Sequence, residues 1–189
     1  MKSLSIHLVA GLALTLTAAG AASAQTLVIG TSDARLCYEA ALALHRNHRS
    51  DLQRCEAALQ HSPLPRRDVV ATHVNYGILL HRAGRPEDAM RSYNRAIQLS
   101  PGLGEVWLNR GILLMSTGDF AAAEADFTRA LELGVRETHK AYYNRGLSYD
   151  SREMYPEAYA DYHRALERRP NWSLPMRELE RFEVVRNSR

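Results

Sequence analysis

The sequence predicts an all-α fold, a solenoid of stacked helical hairpins, and three observations support this prediction. First, the phrases VNYGILL, LNRGILL and YNRGLSY recur in a chain of 189 residues, and their glycines, Gly77, Gly111 and Gly146, are spaced by 34 and then 35 residues. Second, each unit contains two helical patterns separated by a short break. Third, the second pattern of every unit repeats one stripe of small and large residues. Such a period is typical of repeats that bury their apolar faces against neighbouring units.

The first 24 residues are predicted to form a secretory signal peptide. Lys2 supplies a positive end, an apolar stretch runs from Leu4 to Ala19, and Ala22–Ala24 provides the small residues that a cleavage enzyme needs. We expect cleavage after Ala24 and an exported protein, periplasmic or secreted, without membrane insertion after cleavage. The alternative is an uncleaved anchor, because the apolar stretch approaches the roughly 20 residues that span a bilayer.

Residues 25–63 are interpreted as a degenerate helical hairpin that lacks the glycine phrase. Cys37 and Cys55 are the two cysteines of the chain, and they lie almost equally far from the predicted turn near residues 46–48. Antiparallel packing would bring them level, and an oxidising compartment favours a disulfide between them. A loop of this length would contribute roughly 3 kcal/mol in the chain-entropy model. The alternative is a pair of buried free thiols.

Residues 70–170 contain three repeats, at 70–103, 104–138 and 139–172. A glycine inside a helix costs about 1 kcal/mol relative to alanine, so its recurrence in each first helix predicts close packing against a neighbour. In each second helix an alanine is followed four residues later by an aromatic residue, which allows two antiparallel helices to interlock. The residues with these packing roles are Gly77, Gly111, Gly146, Ala89, Ala123, Ala158, Tyr93, Phe127 and Tyr162.

The turns inside the repeats and the end of the chain complete the predicted organisation. Gly84 and Gly118 suit a left-handed helix end, whereas the third repeat has Glu153 in that place, so its turn is expected either to differ or to be strained. Residues 173–189 are predicted to form one capping helix, with Pro175 in its first turn. Solenoids need atypical ends of this kind, so the helix is expected to cover the last hairpin.

The three units resemble tetratricopeptide repeats, whose pattern is W-x2-L-G-x2-Y, then A-x3-F, then P. The resemblance covers 101 residues and rests on Trp107, Gly111, Ala123 and Phe127 in the second unit and on Gly146, Tyr149, Ala158 and Pro170 in the third. The departures are Arg110 and Arg145 in place of the leucine, His73 in place of the tryptophan, and Val135 in place of the proline. The resemblance implies a right-handed stack whose first helices line a concave groove that binds protein segments.

Three asparagines are the candidate binding residues of this groove. Asn75, Asn109 and Asn144 each precede a repeat glycine by two residues, so they recur on one face of successive first helices. An amide can hold the backbone of an extended peptide, because it has both donors and an acceptor. The alternative is that the asparagines bridge adjacent helices. Helical spacing places a mostly apolar set around them: Val74, Leu108, Tyr143, Ile78, Ile112, Leu147, His81, Met115 and Asp150.

The carboxylate-clamp variant of the family, which grips acidic peptide tails with lysines and asparagines, is not matched. Lys140 is the one lysine after the predicted cleavage site, and Ile78 stands where a polar clamp residue is expected. The formal net charge of +3 is too balanced to indicate a nucleic-acid partner. A protein or peptide partner of another kind is therefore expected.

We expect no catalysis and no cofactor. The chain has no glycine-rich phosphate loop, no nucleophile elbow and no His-Glu-x-x-His motif. His45, His48 and His61 make a surface metal site geometrically possible, so a metal-binding or hydrolytic protein is a remote alternative. A self-associating structural protein of the cell envelope is the other alternative. The leading hypothesis is a non-catalytic scaffold that binds a protein segment in the concave groove.

Overall fold

A computed structural model describes residues 4–8, 32–43, 48–61 and 63–186, and within them the chain is almost entirely helical. One pair of short strands joins the two ends of the chain. The elements are β1 (Leu4–Leu8), α1 (Ser32–Leu42), α2 (His48–His61), α3 (Arg66–Arg82), α4 (Pro86–Leu99), α5 (Gly104–Ser116), α6 (Phe120–Glu132), α7 (Thr138–Asp150), α8 (Tyr155–Arg168), α9 (Ser173–Leu179) and β2 (Phe182–Arg186).

The helices form the predicted solenoid of hairpins. α3 pairs with α4, α5 with α6 and α7 with α8, while each first helix also contacts the second helix of the preceding repeat. The first helices α3, α5 and α7 touch one another directly and so make up one layer of the stack. α3 begins at Arg66, one turn earlier than the repeat boundary predicted at Val70. Pro65 precedes this turn and Asp68 lies within it, which suits the start of a helix.

Each repeat is held together by a glycine that faces an aromatic ring. Tyr93, Phe127 and Tyr162 are fully buried, and their rings lie where the glycine side chains would begin. A Cβ atom added to Gly77 would lie 2.5 Å from Cε1 of Tyr93, and one added to Gly111 would lie 2.6 Å from Cε1 of Phe127. The contact therefore requires a residue without a side chain.

The turns between the two helices of each repeat share one backbone geometry. Gly84 and Gly118 have φ values of 71° and 86°, and the residues after them, Arg85 and Asp119, each donate a backbone N–H bond to a carbonyl five residues back. Glu153 adopts the same left-handed conformation in the third repeat, with φ 59°. A side chain in this region costs roughly 1–2 kcal/mol. The third turn therefore keeps the geometry of the other two and carries the predicted strain.

The first hairpin contains a disulfide between Cys37 and Cys55, with the two Cα atoms 4.7 Å apart. Cys55 precedes Ala58 by three residues, as Tyr93 precedes Ala96, so the disulfide takes the place that the glycine–aromatic contact has in the repeats. Both sulfur-bearing residues are fully buried. The hairpin is also tied to α3, because the Arg82 guanidinium donates a 2.6 Å hydrogen bond to the Ala41 carbonyl at the end of α1.

The end of the chain differs from the predicted capping helix of residues 173–189. The helix ends at Leu179, and the prediction is wrong for Phe182–Arg186, which form strand β2. β2 pairs antiparallel with β1, with Leu8 opposite Phe182 and Leu4 opposite Arg186. The β-branched Val184 and Val185 favour extended backbone, and the apolar segment Leu4–Leu8 supplies a partner strand.

The predicted signal peptide, residues 1–24, is described only at Leu4–Leu8. Cleavage after Ala24 therefore stays a prediction, and a cleaved chain would lack β1. Among the helices in the described ranges, none is long and apolar enough to cross a bilayer.

Candidate partner-binding surface

The three asparagines of the predicted groove lie inside the protein. Asn75, Asn109 and Asn144 are each at most 1% exposed, so their amides cannot contact a partner in this conformation. A residue two positions before the repeat glycine points towards the neighbouring helices rather than into the groove. The prediction that these asparagines bind a partner is therefore wrong. The alternative, a role between adjacent helices, agrees with the burial of their side chains.

Most of the predicted apolar floor is also buried, because neighbouring helices cover it. Val74 and Ile78 pack in one cluster with residues of α1, including Cys37. Leu108 and Ile112 pack with Ala141 of α7. The ring of Tyr143 lies 5.0 Å from that of Trp172, which immediately precedes α9. The prediction of exposed groove contacts is therefore wrong for five residues, which are buried against neighbouring parts of the fold instead: Val74, Ile78, Leu108, Ile112 and Tyr143.

Four predicted residues remain partly exposed on the first helices. They are His81, Met115, Leu147 and Asp150, and we call them the inner strip. His81, Met115 and Asp150 occupy equivalent places, four residues after a repeat glycine, at the ends of α3, α5 and α7. The imidazole Nε2 of His81 lies 2.9 Å from the hydroxyl oxygen of Ser116, which joins the ends of α3 and α5. The four residues thus lie on the first helices of all three repeats.

The inner strip is apolar in the middle and polar at both ends. Burial, together with the positive charge of Arg82, lowers the pKa of His81, so its ring is neutral at pH 7. Asp150 is paired with the Arg181 guanidinium at 3.0 Å. Met115 and Leu147 lie between these ends.

Two arginine–aspartate pairs each lie within one repeat, and their arginines also reach the preceding repeat; the pairs were not predicted from the sequence. Arg110 donates to both carboxylate oxygens of Asp126 at 2.7 and 2.8 Å, and to the side-chain oxygen of Asn94 in the preceding repeat at 2.7 Å. Arg145 binds Asp161 at 2.6 and 3.0 Å, and Thr128 at 3.0 Å. These are the arginines that replace the leucine of the family pattern. Their separation of sixteen residues from an aspartate, found twice, is the signal that would have identified the pairs.

The first repeat replaces this pair with different side chains. Tyr76 stands in the place of the arginine and donates a 2.5 Å hydrogen bond to Glu56 of α2. Burial, with the hydrogen bond to Glu56 and its charge, raises the pKa of Tyr76 to about 12, so the hydroxyl remains a donor. Ser92, in the place of the aspartate, donates to the carbonyl of His73 at 2.9 Å. At this junction a tyrosine hydroxyl binds the Glu56 carboxylate, whereas at the later junctions Arg110 and Arg145 bind the uncharged side chains of Asn94 and Thr128.

Acidic pH is expected to destabilise the protein through His73. Burial, helped by the positive charge of Arg95, lowers the pKa of His73 from 6.5 to about 4. Between these values the unfolded chain binds a proton that the folded protein excludes. The stability present above pH 6.5 is therefore progressively lost as pH falls towards 4.

The variant His73→Tyr, which introduces the residue found at the equivalent Tyr142, isolates this effect. We expect the free energy of unfolding of the wild type to fall more than that of the variant between about pH 7 and about pH 4.5. Urea unfolding of both proteins across this range measures the difference. Parallel stability curves would contradict the assignment to His73.

The structure does not describe the three histidine side chains of the metal site considered at the first hairpin. His45 lies outside the described residues, as do the side chains of His48 and His61. In the described ranges no group of three histidine, cysteine, aspartate or glutamate residues is arranged to hold a metal ion.

Comparison with known proteins gives matches that follow the three repeats. Residues 70–102, 104–134 and 139–171 each match the tetratricopeptide repeat family. A mouse protein O-mannosyl-transferase, TMTC1, is 36% identical over 100 residues, which is 51% of this chain but only 11% of the transferase. The similarity to that enzyme thus concerns the repeats, and the rest of its length has no counterpart in the match.

Solved structures share the same architecture. The first tetratricopeptide domain of Spaghetti (RPAP3), bound to the HSP90 peptide SRMEEVD, superposes with a TM-score of 0.57 at 28% identity and covers 59% of this chain and 88% of its own. YrrB, described as having an unusual peptide-binding site, superposes with a TM-score of 0.59 at 20% identity, covering 70% of this chain and 66% of its own. The three sequence matches, the glycine–aromatic contacts and these superpositions agree: the chain belongs to the tetratricopeptide repeat family.

Proposed function

We propose that this protein is a non-catalytic interaction module that binds an extended, mostly uncharged protein segment along the inner strip. The observation that carries the proposal is the partial exposure of Met115 and Leu147 on adjoining first helices, between two polar ends whose charges are already neutralised. Helices that are fixed before binding lower the entropic cost of ordering a partner. A related domain, the first of RPAP3, holds a peptide.

The charge of the strip distinguishes this protein from domains that bind acidic tails. Ile78 is buried, and the Lys140 ammonium lies 2.6 Å from the Glu137 carboxylate. An acidic peptide would therefore find no preformed cluster of cations along the inner strip. We propose a partner segment with apolar side chains spaced to contact Met115 and Leu147.

We further propose that the protein acts outside the cytoplasm, as an exported scaffold of the cell envelope. The support is the signal-like start of the sequence and the buried Cys37–Cys55 disulfide, since such bonds persist in oxidising compartments. Self-association in the envelope is the second candidate function, because α1 exposes leucines at one end of the stack.

The variant Met115→Glu tests the binding proposal. A carboxylate in the apolar middle of the strip must be desolvated against an uncharged partner, so we expect the affinity to fall at least about tenfold. The measurement is the yield of each co-purified protein after crosslinking in the native compartment, compared with wild type. Circular dichroism establishes that the variant is folded.

The matched control is Ala125→Glu, which adds the same charge at an exposed position of the second-helix layer. Its partner yield is expected to equal that of the wild type. Equal loss in both variants, or no loss in either, would contradict binding at the inner strip. The peptide SRMEEVD is expected to show no saturable binding to the wild type, and tight binding would contradict the preference for an uncharged segment.

A further inference from the structure

The large hydrophobic side chains that are strongly exposed lie at the two ends of the solenoid. Among the described side chains these are Leu36 and Leu42 in α1, 43% and 50% exposed, and Met176 in α9, 45% exposed. The large apolar residues described on the helices between them are buried or only partly exposed. All three lie on the two end helices, which makes these helices the candidates for a contact between copies.

The outer surface of α1 combines these leucines with charges. Its opposite side, with Cys37 and Ala41, is buried against the rest of the fold. The outward residues Arg35, Leu36, Glu39 and Leu42 follow one another at helical spacing. Arg35 and Glu39 pair within the helix at 2.8 Å, so both charges lie on this outer surface.

The outer surface of α9 has a similar composition at the other end. Its inner side is fixed because Leu174 and Leu179 pack in the cluster of Tyr143 and Tyr162. Its outward residues are Met176 and Arg177, and the exposed Glu180 directly follows the helix. An apolar residue and two opposite charges therefore face outward from each end of the stack.

We infer that the two ends are complementary and that α9 of one copy docks on α1 of a second copy. Antiparallel helices place Glu39 opposite Arg177 and Arg35 opposite Glu180. The spacing agrees, because four residues span about 6 Å and three about 4.5 Å along a helix. In the same arrangement Met176 enters between Leu36 and Leu42. A parallel arrangement would bring Glu39 to Arg177 but leave Arg35 away from Glu180.

This contact joins two different surfaces, so it is heterologous and produces a chain or ring of copies rather than a closed dimer. Two short helices bury less surface than a stable complex requires, and the dissociation constant is expected to be on the order of 10 µM or weaker. The inference deepens the second candidate function, self-association, and binding along the inner strip can fail without it.

Sedimentation velocity of the full chain tests the inference through a pair of variants. Wild type is expected to show a sedimentation coefficient that rises with protein concentration up to the order of 100 µM. Leu36→Glu blocks the α1 surface, Met176→Glu blocks the α9 surface, and each alone is expected to remain monomeric. Mixed together they are expected to form a heterodimer, because the first retains α9 and the second retains α1. The control Ala125→Glu is expected to associate like wild type.

Three results would overturn the inference. If the wild type remains monomeric over this concentration range, the proposed contact does not form. Self-association of Met176→Glu alone shows that α1 binds α1, and a mixture that stays monomeric shows that the two ends do not bind each other. A charge exchange adds a check on the register: Glu39→Arg and Arg177→Glu are each expected to weaken association, and their combination in one chain is expected to restore it.

Discussion

Replacement of Asp161 by alanine is expected to lower the free energy of unfolding by about 3 kcal/mol. The Asp161 carboxylate is fully buried, and it accepts both hydrogen bonds from Arg145, whose side chain is 13% exposed. Burial alone would lower the pKa of Arg145, but its hydrogen bonds and charge pairing with Asp161 outweigh burial and raise it. Without the carboxylate this guanidinium remains buried and charged. Urea unfolding at neutral pH measures the loss.

The matched control is Glu132→Ala, which breaks an ion pair of similar length with Arg129 on the surface. That pair is 2.9 Å long, and both of its side chains are about half exposed. Its removal is expected to change the free energy of unfolding by less than about 1 kcal/mol. The double variant Arg145→Leu with Asp161→Leu is expected to be more stable than Asp161→Ala, because it leaves no buried charge. Equal losses for Asp161→Ala and Glu132→Ala would contradict the structural role of the buried pair.

Replacement of Gly111 by valine is expected to destabilise the protein by about 3 kcal/mol, because the side chain enters an occupied space. The Cβ atom alone would lie 2.6 Å from Cε1 and 2.8 Å from Cδ1 of Phe127. The Phe127 ring is fully buried and cannot move into solvent. The second repeat would have to separate its two helices, which exposes apolar surface. Thermal or urea unfolding gives the measured change.

Gly102→Val provides the comparison at a position with open space. A Cβ atom there would meet no atom within 4 Å, and the residue is exposed. The expected change is within about 0.5 kcal/mol. The double variant Gly111→Val with Phe127→Leu is expected to recover part of the loss, because a smaller side chain makes room. An undiminished stability of Gly111→Val would show that the helices do not meet as closely as the structure indicates.

The architecture could be predicted because its causes are local or periodic. The interval between the repeat glycines defines the repeat, and the constant distance from Gly111 to Phe127 defines which two helices meet. Cys37 and Cys55 could be paired because they lie symmetrically about a turn. The alignment of Glu153 with Gly84 showed that the third turn must differ or be strained, and the structure has the strained form. In each case a structural requirement can be recognised from the spacing of a few residues in the sequence.

The candidate surface was harder to predict, because exposure depends on which neighbour covers a helix. The position of Asn109 on α5 follows from helical spacing, but the angle at which α5 meets its neighbours decides whether the amide faces solvent. Tyr143 is buried because Trp172 folds back over it, a contact between distant parts of the chain. The pairing of β1 with β2 is likewise non-local, and the strand tendency of Val184 and Val185 was outweighed by a helical pattern.

The most direct test of the account is site-specific photo-crosslinking from Met115 in the native compartment. The residue is replaced by the photoreactive p-benzoylphenylalanine, and the same substitution at Ala125 reports on the opposite layer. If a partner binds along the inner strip, it is expected to be covalently captured from position 115. Capture of that partner from position 125 is expected to be absent or much reduced. Capture of the same partner only from position 125, or equally from both, would contradict binding along the inner strip.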